Sequence, residues 1–250
     1  MKILHIINDL EPAGAQRLLM DMVRLSLKDP ANRWDILIIR DSKRHPFYSQ
    51  IKELPVNLIE GNFKSLFDPL ILFFLYKKIR SYDIVHSHLF PDQYWTALAG
   101  RLFHRKSKML TTEHNTHNRR REKAWFRPLE QWMYNSYDKV ISISEETRDK
   151  LFAWLGKKEV EKNPEKYVVI ENGVDIERFQ RAAPLTRDAL GLKPNSVILL
   201  MIARMEDQKD HITLFKALQL LPENFELLLV GEGSKENEYK GYCKSKGIAD

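Results

Sequence analysis

Short apolar runs alternate with helical stretches along almost the whole sequence, and this alternation restricts the fold to a parallel α/β class. Each run is continuously apolar, so both faces of the predicted strands are expected to be covered. Strands that alternate with helices pair in parallel through right-handed crossovers. The predicted strands of the first part are Lys2–Asn8, Asp35–Arg40, Val56–Ile59, Ile84–His88, Met109–Glu113, Val140–Ser144 and Val168–Glu171.

The helices predicted between these strands complete a doubly wound parallel-sheet domain, which we place at 1–182. A looser segment, 175–195, leads out of it, and the pattern restarts with strands Val197–Ala203 and Phe225–Val230. Two strands leave an unpaired edge, so the second domain, 183–250, is expected to be incomplete. Either another chain completes this sheet or the sequence is a truncated piece of a longer protein, and we favour truncation.

Charge and cysteine content indicate the surroundings of the protein. Residues 1–170 carry 29 Lys and Arg against 21 Asp and Glu, whereas residues 171–250 carry 11 against 13. The basic first part favours an anionic partner, such as a phosphorylated ligand, a nucleic acid or an acidic bilayer, although a merely solvated surface is the simpler alternative. Cys243 is the single cysteine, which excludes a disulfide framework and favours a reducing, cytoplasmic compartment.

Polar residues that directly follow predicted strands are the candidates for chemistry, because ligands of parallel sheets bind at the carboxyl ends of strands. Gly14 opens a helix whose free N–H groups suit a phosphate, or it belongs to an ordinary turn. His86 and His88 lie on one face of a strand, but without an obvious third ligand they predict no metal site. His114 can hold a substrate hydroxyl, or it is a loop histidine bonded to the backbone.

A basic stretch and two later loops add further candidates. Arg119, Arg120, Arg121 and Trp125 could meet lipid head groups, a diphosphate or nucleic acid, or form a solvated loop. In the second domain, Arg204 and Lys209 flank a loop that enters a helix, where two cations can neutralise a diphosphate. Gly231 and Glu232 follow the last strand. They form either a loop whose backbone can approach a ligand closely or a simple turn.

Taken in order, these motifs resemble the family 4 (group 1) glycosyltransferases of GT-B architecture, in which two Rossmann-like domains face each other. Asn-Gly-Val-Asp at 172–175 is the most specific, and the paired Arg204 and Lys209 support it. The matching segments are 12–16 (PAGAQ), 83–88 (DIVHSH), 112–115 (TEHN), 141–144 (ISIS), 169–175 (VIENGVD), Arg204 with Lys209, and 230–233 (VGEG).

The resemblance implies a retaining transferase that needs no metal or other cofactor and takes a UDP- or GDP-linked sugar as donor. Arg204, Lys209 and Gly14 match positions that hold the donor diphosphate, and His114 matches the histidine beside the donor sugar. Gly231 and Glu232 match a loop near the nucleotide base. The basic first domain is consistent with a glycan or lipid-linked acceptor at the inner membrane face, in polysaccharide or lipopolysaccharide synthesis, and not with nucleic acid.

The sequence departs from the family pattern in two places. The paired glycines of the first loop are Ala13 and Gly14 here, and the two glutamates spaced eight apart that hold sugar and ribose should lie beyond residue 250. We therefore expect little or no transferase activity from these 250 residues alone. Two alternatives stay open, namely a GT-B-type nucleotide-sugar epimerase and a non-catalytic protein that binds a membrane or a partner. A nicotinamide oxidoreductase is disfavoured because no G-x-G-x-x-G follows the first strand.

Overall fold

The computed structural model describes residues 1–103, 106–116 and 118–249, without the side chain of Arg178. The chain forms two compact units, 1–176 and 177–250, which we describe separately. This division falls near the boundary predicted at 182/183. None of the helices in the described ranges combines the length and the apolar character needed to cross a bilayer.

The first unit is a seven-stranded parallel sheet in the order β3-β2-β1-β4-β5-β6-β7. This confirms the predicted doubly wound α/β fold. The strands are β1 (Lys2–Ile7), β2 (Arg33–Arg40), β3 (Asn57–Phe63), β4 (Ile84–Ser87), β5 (Lys108–Glu113), β6 (Lys139–Ser142) and β7 (Tyr167–Val169). The helices are α1 (Gly14–Ser26), α2 (Pro46–Lys52), α3 (Leu70–Ile79), α4 (Asp92–Leu102), α5 (Arg127–Asn135), α6 (Glu145–Leu155) and α7 (Lys157–Val160). A short helix, α8 (Ile176–Gln180), begins at the last residue of this unit and belongs mostly to the second.

Two apolar clusters cover opposite faces of this sheet. On one face, Leu19 and Val23 of α1 pack with Ile36 and Ile38 of β2. On the other face, helices α3 to α6 pack against alternate residues of the same strands, such as Leu4 and Leu37. Successive strand residues point to opposite faces, so continuously apolar strands are what this two-sided burial requires.

Strand β3 is longer than the sequence indicates, since it was expected to end at Ile59 and instead continues to Phe63. A β-bulge between Ile38 and Arg40 of β2 accommodates the extension. Gly61 makes it possible, because a Cβ at that position would lie 2.7 Å from the carbonyl oxygen of Ile39. Gly61 is next to Asn62, a pair that is typical of turns, so the sequence alone favours an earlier end.

The second unit contains β8 (Val197–Ile202) and β9 (Phe225–Val230), which pair in parallel along their whole length. Helices α9 (His211–Leu218) and α10 (Glu236–Ser245) follow the two strands. Phe215 of α9 and Tyr239 of α10 are buried against each other, with ring centroids 5.7 Å apart. Asp210 caps α9 by accepting a hydrogen bond from the Thr213 amide.

Candidate functional site

The strand order of the first unit reverses between β1 and β4. These strands pair in parallel with His5 opposite His86. The helix after β1 packs on one face of the sheet, and the helix after β4 packs on the other. Doubly wound sheets bind ligands at the carboxyl ends of the strands at such a switch point. Asn8 and Asp9 follow β1 there, and His88 follows β4.

Asp9 is a buried carboxylate at the switch point that sequence reasoning missed. It forms an ion pair with Arg40 at the end of β2 and accepts a hydrogen bond from Gln16 Nε2 at 3.3 Å. Beside it, Asn8 Nδ2 donates to the carbonyl oxygen of Phe90 at 2.6 Å. Asp9 and Arg40 are 31 positions apart in the sequence, and only the parallel pairing of β1 with β2 brings them together.

Gly14 begins α1 directly after this loop. The preceding Ala13 has extended backbone and gives no side-chain cap, and the first turn holds no acidic residue. The first N–H groups of the helix therefore receive no cap from the N-cap side chain, and they carry the positive end of the helix dipole. A Cβ on Gly14 would meet no atom of the described residues within 4 Å, so their packing does not demand a glycine there. This geometry suits an anion, and the diphosphate role of Gly14 stays a prediction.

His114 follows β5 at the same edge of the sheet as the switch point. Burial lowers the pKa of its imidazole to about 4, so the ring is neutral near pH 7. Its Nε2 is buried and makes no hydrogen bond within the described residues. His88 lies beside it, with ring centroids 5.7 Å apart. A neutral imidazole can donate a hydrogen bond to a substrate hydroxyl or accept one from it.

Three buried histidines, His5, His86 and His88, contact one another in a group that we call the histidine ladder. His88 is the member next to His114. His5 Nδ1 lies 2.9 Å from His88 Nε2, and His86 Nε2 lies 2.7 Å from Thr112 Oγ1. Burial lowers the pKa of His5 to about 3 and the pKa values of His86 and His88 well below their usual range, which keeps all three rings neutral.

One nitrogen from each of the three histidines lies within 4.8 Å of the others, so the ladder also has the composition of a metal site. His5 is the third ligand that the sequence did not suggest, since it lies about eighty positions before the His86–His88 pair and meets it only through strand pairing. The 2.9 Å separation of His5 and His88 is a hydrogen-bond length. Two ligand nitrogens of a tetrahedral zinc ion would lie about 3.3 Å apart. The geometry favours hydrogen-bonded rings over ligation.

The basic stretch after β5 folds back onto the protein in part. Arg121 NH2 lies 2.8 Å from Glu113 Oε2, its Nε lies 3.4 Å from Glu130 Oε2, and its side chain is only 9% exposed. Arg120 Nε pairs with Glu130 at 3.1 Å. Tyr134 donates its hydroxyl proton to Glu113 in the same network. Arg120 and Arg121 are thus engaged inside the first unit, which narrows the predicted membrane or acceptor contact to the two remaining residues.

Arg119 and Trp125 are those two residues, and both are exposed. Trp125 is 70% exposed and its ring lies 5.1 Å from that of Phe126. Arg119 begins a short 3-10 helix, Arg119–Glu122, which Asn118 caps by accepting from the Arg120 amide. Both side chains are therefore accessible to a partner molecule.

In the second unit, the loops after β8 and β9 are joined by backbone hydrogen bonds. The Met205 amide donates to the Glu232 carbonyl at 3.0 Å, and the Lys235 amide donates to the Met205 carbonyl at 3.0 Å. The Glu206 carboxylate accepts from both the amide and the hydroxyl of Ser234, each at 3.0 Å.

Two glycines make this approach possible. A Cβ on Gly231, which has a φ of +150°, would lie 2.0 Å from the carbonyl oxygen of Ala203. A Cβ on Gly233 would lie 2.3 Å from the carbonyl oxygen of Met205. The loops 203–209 and 231–235 are therefore held against each other and form one surface, which we call the platform; substitution of either glycine would separate them.

Arg204 and Lys209 both belong to this platform. Arg204 follows β8, and Lys209 ends a short 3-10 helix, Asp207–Lys209, just before α9. Both side chains are exposed, and among the described residues neither makes an ion pair. Lys235 by contrast is engaged, since its Nζ lies 2.7 Å from Glu238. Glu232 is exposed on the loop after β9, so the structure brings Arg204, Lys209, Gly231 and Glu232 together on neighbouring loops.

The sequence profile of Glycosyltransferase Family 4 matches residues 14–178. This match spans more than half of the chain, which therefore belongs to Glycosyltransferase Family 4. The chain is 28% identical over 247 residues to the UDP-Gal:alpha-D-GlcNAc-diphosphoundecaprenol alpha-1,3-galactosyltransferase of Escherichia coli, with 89% of this chain and 62% of that protein covered. It is 25% identical over 193 residues to the GDP-mannose:cellobiosyl-diphosphopolyprenol alpha-mannosyltransferase of Xanthomonas campestris, covering 72% and 48%.

Solved structures resemble the chain over nearly its whole length. Anabaena HepE in complex with UDP superposes with a TM-score of 0.76 at 20% identity, covering 99% of this chain and 67% of that one. This likeness confirms the GT-B-type α/β fold that the sequence motifs predict. The chain spans less than two thirds of the length of the two curated relatives above.

Proposed function

We propose that this chain provides the acceptor-side domain and the first part of the donor-binding domain of a glycosyltransferase. The enzyme moves a sugar from a nucleotide-sugar donor to a lipid-linked acceptor in the synthesis of a cell-surface glycan. Membership in Glycosyltransferase Family 4 supports this proposal most strongly. The names of both curated relatives, which describe transfer to a glycosylated diphosphopolyprenol, support the class of acceptor.

The donor side of the proposal depends on the platform formed by the loops after β8 and β9. Arg204 and Lys209 bind the diphosphate and compensate the negative charge that it gathers as it leaves. Gly231 and Glu232 lie near the nucleotide base. The relatives' donors, UDP-Gal and GDP-mannose, indicate that the nucleotide is UDP or GDP.

In the transfer step, the bond between the anomeric carbon and the diphosphate breaks while the acceptor oxygen bonds to the same face of the sugar. The acceptor hydroxyl gives its proton to the departing phosphate oxygen, so the reaction retains configuration without a protein base. His114 lies beside the donor sugar, and the neutral state of its ring suits a hydrogen bond with a sugar hydroxyl. Gly14 supplies backbone N–H groups to the phosphates. No resident metal or other cofactor takes part.

The acceptor side of the proposal lies at the switch point of the first unit. Asp9, fixed by Arg40 and Gln16, is positioned to accept a hydrogen bond from an acceptor hydroxyl. Arg119 and Trp125 are the exposed members of the basic stretch, and they contact the membrane that contains the acceptor. The protein then works in the cytoplasm at the inner face of that membrane, and nucleic acid is not a partner.

Calorimetric titration of the 250-residue chain with nucleotides tests this proposal. We expect UDP or GDP to bind more tightly than the matching monophosphate, because Arg204 and Lys209 contact the second phosphate. Absence of nucleotide binding, together with intact folding by circular dichroism, would leave the non-catalytic membrane-binding alternative as the better description.

A further inference from the structure

An exposed apolar stripe runs from the turn before helix α3 into the first turns of that helix. Phe67, Leu70 and Phe73 follow one another at a spacing of three and are 64%, 62% and 56% exposed. Leu70 and Phe73, three apart within α3, lie on one face of the helix, and Phe67 lies in the turn just before it. The opposite face of α3 is already buried in the core through Ile71, Leu75 and Ile79. Single exposed apolar side chains are common on soluble proteins, whereas adjacent ones mark an interaction surface.

The same stripe becomes basic toward the C-terminal end of the helix. Lys77 lies four residues after Phe73, and Arg80, the C-cap of α3, lies three residues further on; both are exposed. Lys64 is exposed just before Phe67, and Asp68 is the one acidic residue between residues 64 and 80. Asp68 accepts a hydrogen bond from the Leu70 amide at 2.9 Å, which starts the helix. Aromatic and leucine side chains flanked by lysine and arginine are the composition of segments that lie in the interface of an anionic bilayer.

A chain of aromatic contacts connects this stripe with the switch point and with Trp125. The ring of Phe67 lies 5.9 Å from that of Phe90, whose carbonyl accepts from Asn8 at the switch point. The guanidinium of Arg120 lies 4.0 Å from the centre of the Phe90 ring. Tyr94 and Phe126 continue the contacts to Trp125. Phe67 is thus one residue removed from the switch point, and packed aromatic rings connect it with Trp125.

We propose that Phe67, Leu70 and Phe73 insert into an anionic phospholipid bilayer while Lys77 and Arg80 contact its head groups. This docking places the carboxyl ends of β1 and β4 beside the membrane surface. The inference deepens the proposed function, since it rests on an acceptor that is held in a membrane. The structure favours a bilayer over a protein partner because the cations and the apolar side chains occupy one stripe.

Co-sedimentation with vesicles tests the docking surface. The chain should bind phosphatidylcholine vesicles that contain phosphatidylglycerol and bind pure phosphatidylcholine vesicles more weakly. The triple variant Phe67→Ser, Leu70→Ser, Phe73→Ser should lower the partition coefficient by about tenfold or more. Leu25 and Leu27 near the end of α1 are 50% and 42% exposed and make a matched control, so Leu25→Ser with Leu27→Ser should leave vesicle binding unchanged. Circular dichroism checks that every variant is folded.

A fluorescent label distinguishes insertion from loose adsorption. With Cys243→Ser as background, an environment-sensitive dye on Phe73→Cys should shift to shorter wavelength when the anionic vesicles are added, and the same dye on Leu27→Cys should not. Equal vesicle binding by the triple variant and the native chain, or no shift of the label at position 73, would overturn the inference. So would a triple variant that loses only self-association, measured by analytical ultracentrifugation.

Nucleotide titration keeps the two proposals separate. The stripe lies in the first unit and the donor platform in the second, so the triple variant should bind UDP or GDP as the native chain does. If the native chain binds nucleotide but does not bind the anionic vesicles, the docking surface alone is overturned. Vesicle binding without nucleotide binding would overturn the proposed transferase and leave the docking surface in place.

Discussion

Arg121 and Glu113 form a buried ion pair with 2.8 Å between the guanidinium NH2 and the carboxylate Oε2. Glu113 is the last residue of β5 and immediately precedes His114, so the pair connects the loop after β5 to the strand that carries the candidate sugar-binding histidine. Glu130 and Tyr134 of α5 complete the network, and burial raises the pKa of Tyr134 well above its usual range. Part of the basic stretch therefore stabilises the first unit. We call the network of Arg121 with Glu113, Glu130 and Tyr134 the clamp.

This ion pair predicts that Arg121 contributes far more to the free energy of unfolding than the nearby Arg119. Arg121→Ala leaves the carboxylate of Glu113 buried without its cation and should lower the free energy of unfolding by about 3–5 kcal/mol. Arg119→Ala removes an exposed side chain and should change it by less than about 0.5 kcal/mol. Urea denaturation followed by tryptophan fluorescence reports on the first unit, which contains all five tryptophans. Equal effects of the two substitutions would show that the clamp does not form.

Glycine substitutions test the backbone platform of the second unit. Gly231→Ala would force a methyl group against the carbonyl of Ala203 and should destabilise the unit by more than about 2 kcal/mol. Gly241 lies inside α10, and a Cβ there would meet no atom of the described residues within 4 Å, so Gly241→Ala should stabilise the unit by about 0.5–1 kcal/mol. Hydrogen exchange of peptides from β8 and β9 measures both changes. Faster exchange in the Gly241 variant, or no change in the Gly231 variant, would contradict the geometry.

The buried histidines predict how stability depends on pH. His5 and His114 have folded-state pKa values of about 3 and about 4, below the value near 6.5 expected in the unfolded chain. Between those limits the unfolded chain binds more protons, so stability falls as the pH is lowered from about 6.5, by up to about 1.4 kcal/mol per pH unit for each histidine. His5→Gln should flatten this slope in urea titrations at several pH values. An unchanged slope would mean that His5 is protonated in the folded protein.

Chelation tests whether the histidine ladder holds a metal. We expect that dialysis against EDTA leaves the unfolding midpoint and the nucleotide affinity unchanged, since His5 and His88 are within hydrogen-bond distance of each other. Elemental analysis of the purified chain provides the independent check. A stoichiometric metal whose removal lowers the unfolding midpoint would instead assign His5, His86 and His88 as its ligands.

The sheet was predictable from the sequence because its strands are continuous apolar runs with helices between them. Lys2–Asn8 and Phe225–Val230, for example, differ from the observed β1 and β9 by at most one residue. The end of β3 was not predictable, since Gly61 and Asn62 indicate a turn locally and only the neighbouring β2 shows that a bulged strand fits.

The candidate site was predictable only where a motif marks it. His114, Arg204 and Lys209 stand in recognisable segments, and their roles stay predictions. Asp9 with Arg40, and His5 with His88, meet only through strand pairing, which a single sequence does not reveal. Arg121 looks like its neighbours in a basic run, and only the position of α5 shows that it is buried against Glu113 and Glu130.

The most direct test of the account is the diphosphate affinity of the donor platform. Arg204→Ala with Lys209→Ala should weaken binding of UDP or GDP by at least about tenfold, because two charge-assisted contacts to the phosphates are lost. The same variant should bind the monophosphate almost as before. Lys240→Ala with Lys244→Ala removes two exposed cations of α10 and should leave both affinities unchanged, which controls for net charge. If the double variant binds the diphosphate as tightly as the native chain, the transferase assignment of these residues is contradicted.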